Sequence, residues 1–138
     1  NFVVIAPNTS EAHCFELDGP EGTYEAGHTI KNGTVVASAG DRKATDLINV
    51  DDNSIVALEN IFITGLKTGQ DINRTTASGV TFTKIELNVP SGSTLQDFVT
   101  GTIPSGVTAA ATPSAGVGAD LSVFAWTWAS TATEWPGN

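Results

Sequence analysis

The sequence predicts an all-β chain: a single-domain antiparallel β-sandwich, jelly-roll or immunoglobulin-like, with about 8–10 short strands. Three observations predict it. Short runs rich in Val, Ile, Thr and Phe recur along the whole chain. Clusters of Gly, Pro, Asn and Asp separate them at roughly 8–12-residue intervals, the spacing of strands joined by tight turns. Only residues 95–100 hint at a helical turn. At 138 residues the chain has the size of one domain, so residues 1–138 are read as one sandwich.

Residues 2–6 (FVVIA) are apolar on both faces and stop at Pro7. Such a run is a strand covered on both sides. Two arrangements satisfy it. Either it is a central strand of the chain's own sheet, or residues 1–7 are a strand donated to a neighbouring copy. Donation from each copy to the next is head-to-tail and builds a filament unless it closes into a ring. Residues 13–17 (HCFEL) form the next strand, before the turn DGPEG at 18–22. The lone Cys14 has no partner for an internal disulfide and is expected as a small buried side chain. His13 beside it points to the opposite face of a strand, so the two do not make a nucleophile–base pair.

Residues 34–39 (TVVASA) follow the turn Lys31-Asn32-Gly33, and residues 45–50 (TDLINV) follow AGD at 39–41. Residues 54–58 (SIVAL) and 60–66 (NIFITGL) follow VDDN at 50–53. Residues 80–89 (VTFTKIELNV) make the longest alternating run. Residues 95–101 and 107–112 follow the turn signals PSGS and IPSG. Residues 120–130 (DLSVFAWTWAS) read as a final strand, with Phe124, Trp126 and Trp128 on one face and Leu121, Val123, Ala125, Thr127 and Ala129 on the other. Its aromatic face is expected in the core or at a contact with another subunit, where aromatics are enriched and charge is depleted. An exposed stripe would instead stack on sugar rings. Trp135 is expected to pin the end of the chain by packing.

Charge narrows the partners. The chain carries 15 acidic and 6 basic residues, net −9, and charged residues are 15% of the total. Such a chain repels phosphate backbones and anionic lipid surfaces, so neither nucleic acid nor an anionic membrane is expected as a partner. No apolar run reaches the roughly 18 residues needed to span a bilayer. After Lys84 the only charged residues are Glu86, Asp97, Asp120 and Glu134. The first residue, Asn1, is not Met, which points to removal of a leader and an extracellular or cell-surface location.

Chemistry-bearing motifs are few. His13 and His28 are the only histidines, and the metalloprotease, redox, phosphate-loop and serine-elbow patterns do not occur. No enzyme, cofactor or metal centre is expected. Asp51 and Asp52, in an acidic turn, are weak cation candidates without the glycine and distal glutamate of a calcium loop. Three glycosylation acceptors, Asn8, Asn32 and Asn73, fall in loops or at strand ends. In general look the chain resembles extracellular filament or pilus subunits and small β-rich capsid decoration proteins, with no motif specific to either. The expected function is therefore a non-enzymatic structural subunit of an extracellular filament, pilus or surface layer. It would assemble with copies of itself through Phe2, Val3, Val4 and Ile5 and through Phe124, Trp126 and Trp128. A viral capsid decoration protein and a secreted carbohydrate-binding module are the alternatives.

Overall fold

The computed structural model describes residues 1–5, 13–17, 27–37, 46–50, 55–73, 79–133 and 135–136. It corrects the antiparallel sandwich. Strands β1 (Phe2–Ile5), β3 (Gly27–Val36), β5 (Ile55–Thr64), β6 (Val80–Leu87) and β7 (Val107–Ala109) form one five-stranded sheet, in that order, and every pairing is parallel. β2 (His13–Leu17) and β4 (Asp46–Val50) form a second, two-stranded parallel sheet. Parallel order is the sheet type of α/β proteins, whose crossovers are normally helical. Here the described crossovers contain one 3-10 turn, Leu95–Phe98, and no α-helix.

From β1 to β5 the chain alternates between the two sheets, each strand stacking on the one laid down a turn earlier. It winds as a coil of rungs, the layout of a β-solenoid. Successive residues of the stack Val4, Val35, Ile63, Leu87 and Ala109 are 31, 28, 24 and 22 positions apart, so the rungs shorten toward the C-terminus. Local alternation shows which face of a strand is covered, but not which strand lies beside it. Crossovers that lack helices leave no amphipathic period in the sequence, so their turn signals are indistinguishable from those of hairpins.

Inward side chains stack in columns. Ile61, Ile85 and Val107 form one, Val35, Ile63 and Leu87 another, and all are buried with Val56, Leu58, Ile72, Phe98 and Val99 in one apolar core. β5 shows how a single strand serves two sides of the coil. Val56 and Leu58 point inward, then Ile61 and Ile63 do, so the inward parity changes at Asn60. Asn60 makes this corner with a left-handed backbone, φ 54°. The residues stacked at the same corner, Asn32 and Lys84, have φ 58° and 52°. Asparagine tolerates this region better than most side chains. The Asn60 amide also donates to Asn32 Oδ1 at 3.1 Å, a hydrogen-bonded ladder between rungs. The 54–58 and 60–66 runs of the sequence are thus one bent strand, with a corner where a break was expected.

Lys84 occupies that corner without asparagine's compatibility. Lys84→Asn is expected to stabilise the protein by about 0.5–1 kcal/mol, by relieving left-handed strain and lengthening the ladder. Chemical denaturation of the two proteins measures it, and a destabilised variant would refute the ladder's role.

After β7 the chain turns back along the outside of the stack. Thr34, Phe62 and Glu86 point outward from three successive rungs, yet they are 4%, 7% and 8% exposed. Residues 113–120 cover them. The Ser114 amide donates to Glu86 Oε2, the Gly118 amide to the Asn60 carbonyl, the Ala119 amide to Thr34 Oγ1 and the Asp120 amide to Asn1 Oδ1. This strap descends rung by rung to the first. Gly118 lies at φ +85°, with the space for a Cβ only 3.1 Å from Thr34 Oγ1. Only glycine combines that backbone with that proximity.

The strap delivers residues 120–130 to the outside of the stack, and the final strand expected there is absent. Two 3-10 turns, Leu121–Phe124 and Trp128–Thr131, replace it. Asp120 caps the first through Ser122. Within a 3-10 turn the two-residue alternation of a strand no longer sets direction, so Phe124, Trp126 and Trp128 do not share a strand face.

Candidate functional site

The structure presents two features of the kind that make contacts: the first rung and an aromatic patch. β1 is the edge strand of the five-stranded sheet and pairs with β3 of the same chain. Phe2 and Val4 point into the columns whose higher members are Ile61, Ile85, Val35, Ile63 and Leu87. Those higher residues are 0–2% exposed, whereas all four residues of β1 are only half-buried. The core therefore continues to the edge of β1 with nothing of equal cover beyond it among the described residues. Phe2 packs edge-on against Phe15 of β2, ring centres 5.3 Å apart. Its ring also fills the space over Gly33, where a Cβ would lie 1.8 Å from the ring. At the opposite edge Val107 is buried and Ile103 packs against the core, leaving a strand of three residues that offers Thr108 and Ala109 to solvent.

The aromatic patch sits on the two 3-10 turns. Trp126 and Trp128 are 86% and 87% exposed, and Val123 beside them is exposed as well. Phe124 behaves differently. It is half-buried and meets the buried Trp135 edge-on at 5.6 Å, which ties the turns to the end of the chain. The sequence expectation grouped Phe124 with the two tryptophans. The structure separates them, with Phe124 holding the turn and the tryptophans displayed by it.

Asp120 lies at the root of this region. The Ser122 hydroxyl and amide both donate to its carboxylate, at 2.6 and 3.1 Å, and hold its pKa below the ordinary value of 3.8, with desolvation opposing weakly. A depressed carboxylate pKa contributes order above that value and loses it as pH falls through the folded pKa. The Ser122 amide resonance is therefore expected to titrate with a midpoint below 3.8. A midpoint at or above that value would refute the capping arrangement. Asp120 also lines a shallow cavity of about 360 Å³ between the strap, Asn1 and the corner residue Asn32.

The remaining sequence-derived positions scatter. Asn32 is the ladder residue, half-buried, and the Thr34 hydroxyl of its acceptor triplet is covered by the strap. Asn73 is buried, and its amide donates to the Thr100 carbonyl while its Oδ1 accepts from the Thr100 amide. Asn73 thus engages the nitrogen that would carry a glycan, whereas Asn32 enters the ladder through its oxygen. Asn8, Asp51 and Asp52 lie outside the described residues. Cys14 sits in β2, with its backbone alone described, and His28 is exposed on β3. Among the described residues, no three His, Cys, Asp or Glu side chains gather where they could hold a metal ion, and no helix is long and apolar enough to cross a membrane.

Sequence reasoning missed the asparagine corner, the strap and the open rung. Asn32 and Asn60 are 28 residues apart, a signal visible only once the rung length is known. No family model, curated protein or solved structure matches the chain.

Proposed function

We propose that the chain is a non-enzymatic structural subunit of an extracellular assembly and that it associates through β1. The observation that supports the reading is the incomplete cover of the first rung. Phe2 and Val4 belong to core columns, yet they keep solvent contact that the same columns exclude in the β3, β5 and β6 rungs. An edge strand also presents unpaired backbone groups, a template for another strand. Stacked-rung proteins need a cap at such an end to remain separate. The seat accepts a β-strand, and a second copy of β1 satisfies it.

The symmetry follows from the difference between the two ends. The β7 edge spans three residues and ends its two columns in the buried Val107 and the small Ala109, whereas β1 ends them in the large, half-buried Phe2 and Val4, so β1 meets β1. Two identical strands related by a two-fold axis pair antiparallel, and because directly opposite residues share a sheet face, Val4 meets Val4 of the second copy while Val3 meets its Ile5. Such an isologous contact closes at two copies. The head-to-tail donation considered from the sequence would instead seat β1 on a different surface of the next copy and leave no closed dimer. The building block is then a dimer, from which a filament or layer would need a further contact.

Sedimentation equilibrium of the purified chain over a wide concentration range tests this. A monomer–dimer equilibrium is the expected result. A chain that remains monomeric throughout, or one that forms open-ended oligomers, would overturn the reading.

A further inference from the structure

We propose that Trp126 and Trp128 form a binding platform for a neutral carbohydrate, a site separate from the β1 contact. Four observations carry it.

The first is geometry. Two indoles, two residues apart, are displayed almost completely, Trp126 in the link between the two 3-10 turns and Trp128 at the start of the second. A large aromatic side chain kept in water is costly and marks a recognition surface. The second is pre-organisation. Trp126 Nε1 donates to the Val123 carbonyl at 2.9 Å. That bond satisfies the polar edge of the indole within the chain and fixes the ring, so its faces remain for a ligand. The packing of Phe124 on Trp135 anchors the same turn from behind. A platform set before binding loses little side-chain entropy when it is used.

The third observation is size. A tryptophan buries roughly 150–250 Å² when fully covered, so the pair offers at most roughly 300–500 Å². A stable protein interface takes about 800 Å² from each partner. The patch is too small for a second copy of the chain and matches a few stacked sugar rings. The fourth is charge. Residues 121–133 contain no charged side chain, and the chain carries net −9. Anionic sugars and lipid headgroups are repelled. A quaternary ammonium group prefers an aromatic cage reinforced by a carboxylate. The nearby carboxylate, Asp120, is engaged by Ser122.

What remains attracted is an uncharged ring with an apolar C–H face, whose weakly positive hydrogens meet the electron-rich indole face. Hydroxyls stand ready beside it. Thr131 Oγ1 donates to the Trp128 carbonyl and Thr127 Oγ1 to the Phe124 carbonyl, each at 2.7 Å. A hydroxyl that donates still has lone pairs to accept from a sugar hydroxyl.

Tryptophan fluorescence, titrated with cellohexaose, xylohexaose, mannohexaose and laminarihexaose, tests the site. At least one of the four is expected to give a saturable change. Trp126→Ala and Trp128→Ala are each expected to weaken that binding about tenfold or more, the scale of losing one stacked aromatic. Their circular dichroism should match the parent, because neither ring is in the core. No saturation with any of the four sugars would overturn the proposal. So would undiminished binding by both variants, or saturation by choline in place of the sugars. Sedimentation showing that the two substitutions abolish self-association would assign the patch to a protein contact instead, and would overturn it as well.

Discussion

Truncating Phe98 to alanine is expected to cost about 3–5 kcal/mol of folding stability, the range for a fully enclosed phenylalanine. Phe98 has no exposed surface although it belongs to a single 3-10 turn outside the sheets. The side chain enters the core between the rungs while its carbonyl accepts from the Ile72 amide of the preceding rung at 3.0 Å. Around it, Thr100 is clasped by Asp71 and Asn73 through its amide and hydroxyl, so the backbone cannot follow the vacated space. A cavity that cannot collapse gives the larger penalties of its class. Against a total stability of about 5–15 kcal/mol for an ordinary domain, the variant would be close to unfolding. Urea denaturation measures the loss. Phe15→Ala, in the half-buried first rung, serves as the comparison and should cost clearly less. Equal costs for the two would refute the graded burial from the first rung to the interior.

Placing a carboxylate in β1, by Val4→Asp, is expected to weaken dimerisation about 100-fold or more, equivalent to about 2.7 kcal/mol. In the antiparallel pairing proposed for β1, Val4 is central, so the two copies would bring two carboxylates together in an apolar setting. Burying unpaired like charges is among the most unfavourable changes available to an interface. Sedimentation measures the dissociation constant. Circular dichroism and a cooperative thermal transition show whether the rungs above remain folded. Those rungs retain the Ile61–Ile85 and Ile63–Leu87 packing, the asparagine corner and most of the strap. A folded variant that dimerises like the parent would remove β1 from the assembly.

The strands themselves were legible in the residues. The runs at 2–6, 13–17, 45–50, 80–89 and 107–112 all contain strands, because β-branched and aromatic residues suit a pleated, covered surface wherever it lies. β3 begins seven residues before the run expected at 34–39. Its early part, Gly-His-Thr-Ile-Lys-Asn-Gly, is polar and exposed on one side and carries a corner asparagine, so it read as turn. The run at 95–101 shows the reverse. Phe98 and Val99 are buried, but a capping box between Thr94 and Asp97 bends the backbone into a 3-10 turn. Residues 120–130 failed most completely. Their alternating aromatics satisfy the strand pattern, but they pair with no described strand, and Asp120, Thr127, Ser130 and Thr131 bond back to local backbone or hydroxyl groups. Short polar side chains that satisfy nearby backbone groups compete directly with strand pairing.

The candidate sites divide in the same way. The apolar character of Phe2, Val3, Val4 and Ile5 was visible, as was the charge-poor setting of Trp126 and Trp128. Their exposure was not, since burial depends on what lies across from a side chain.

By itself, the sequence determined that the chain is β-rich, acidic, poor in charge toward its C-terminus and equipped with apolar strands and tryptophans. Those properties belong to each residue and its near neighbours. The tertiary structure alone decided that the strands run parallel, that Asn32 and Asn60 meet at a corner, that residues 113–120 cover outward-facing side chains, and that, among the described residues, the first rung is half-buried and two indoles are exposed. All but the display of the indoles depend on pairing between residues 22 or more positions apart. The register of such pairing is set by mutual packing and the closure of whole rungs, which no local pattern encodes.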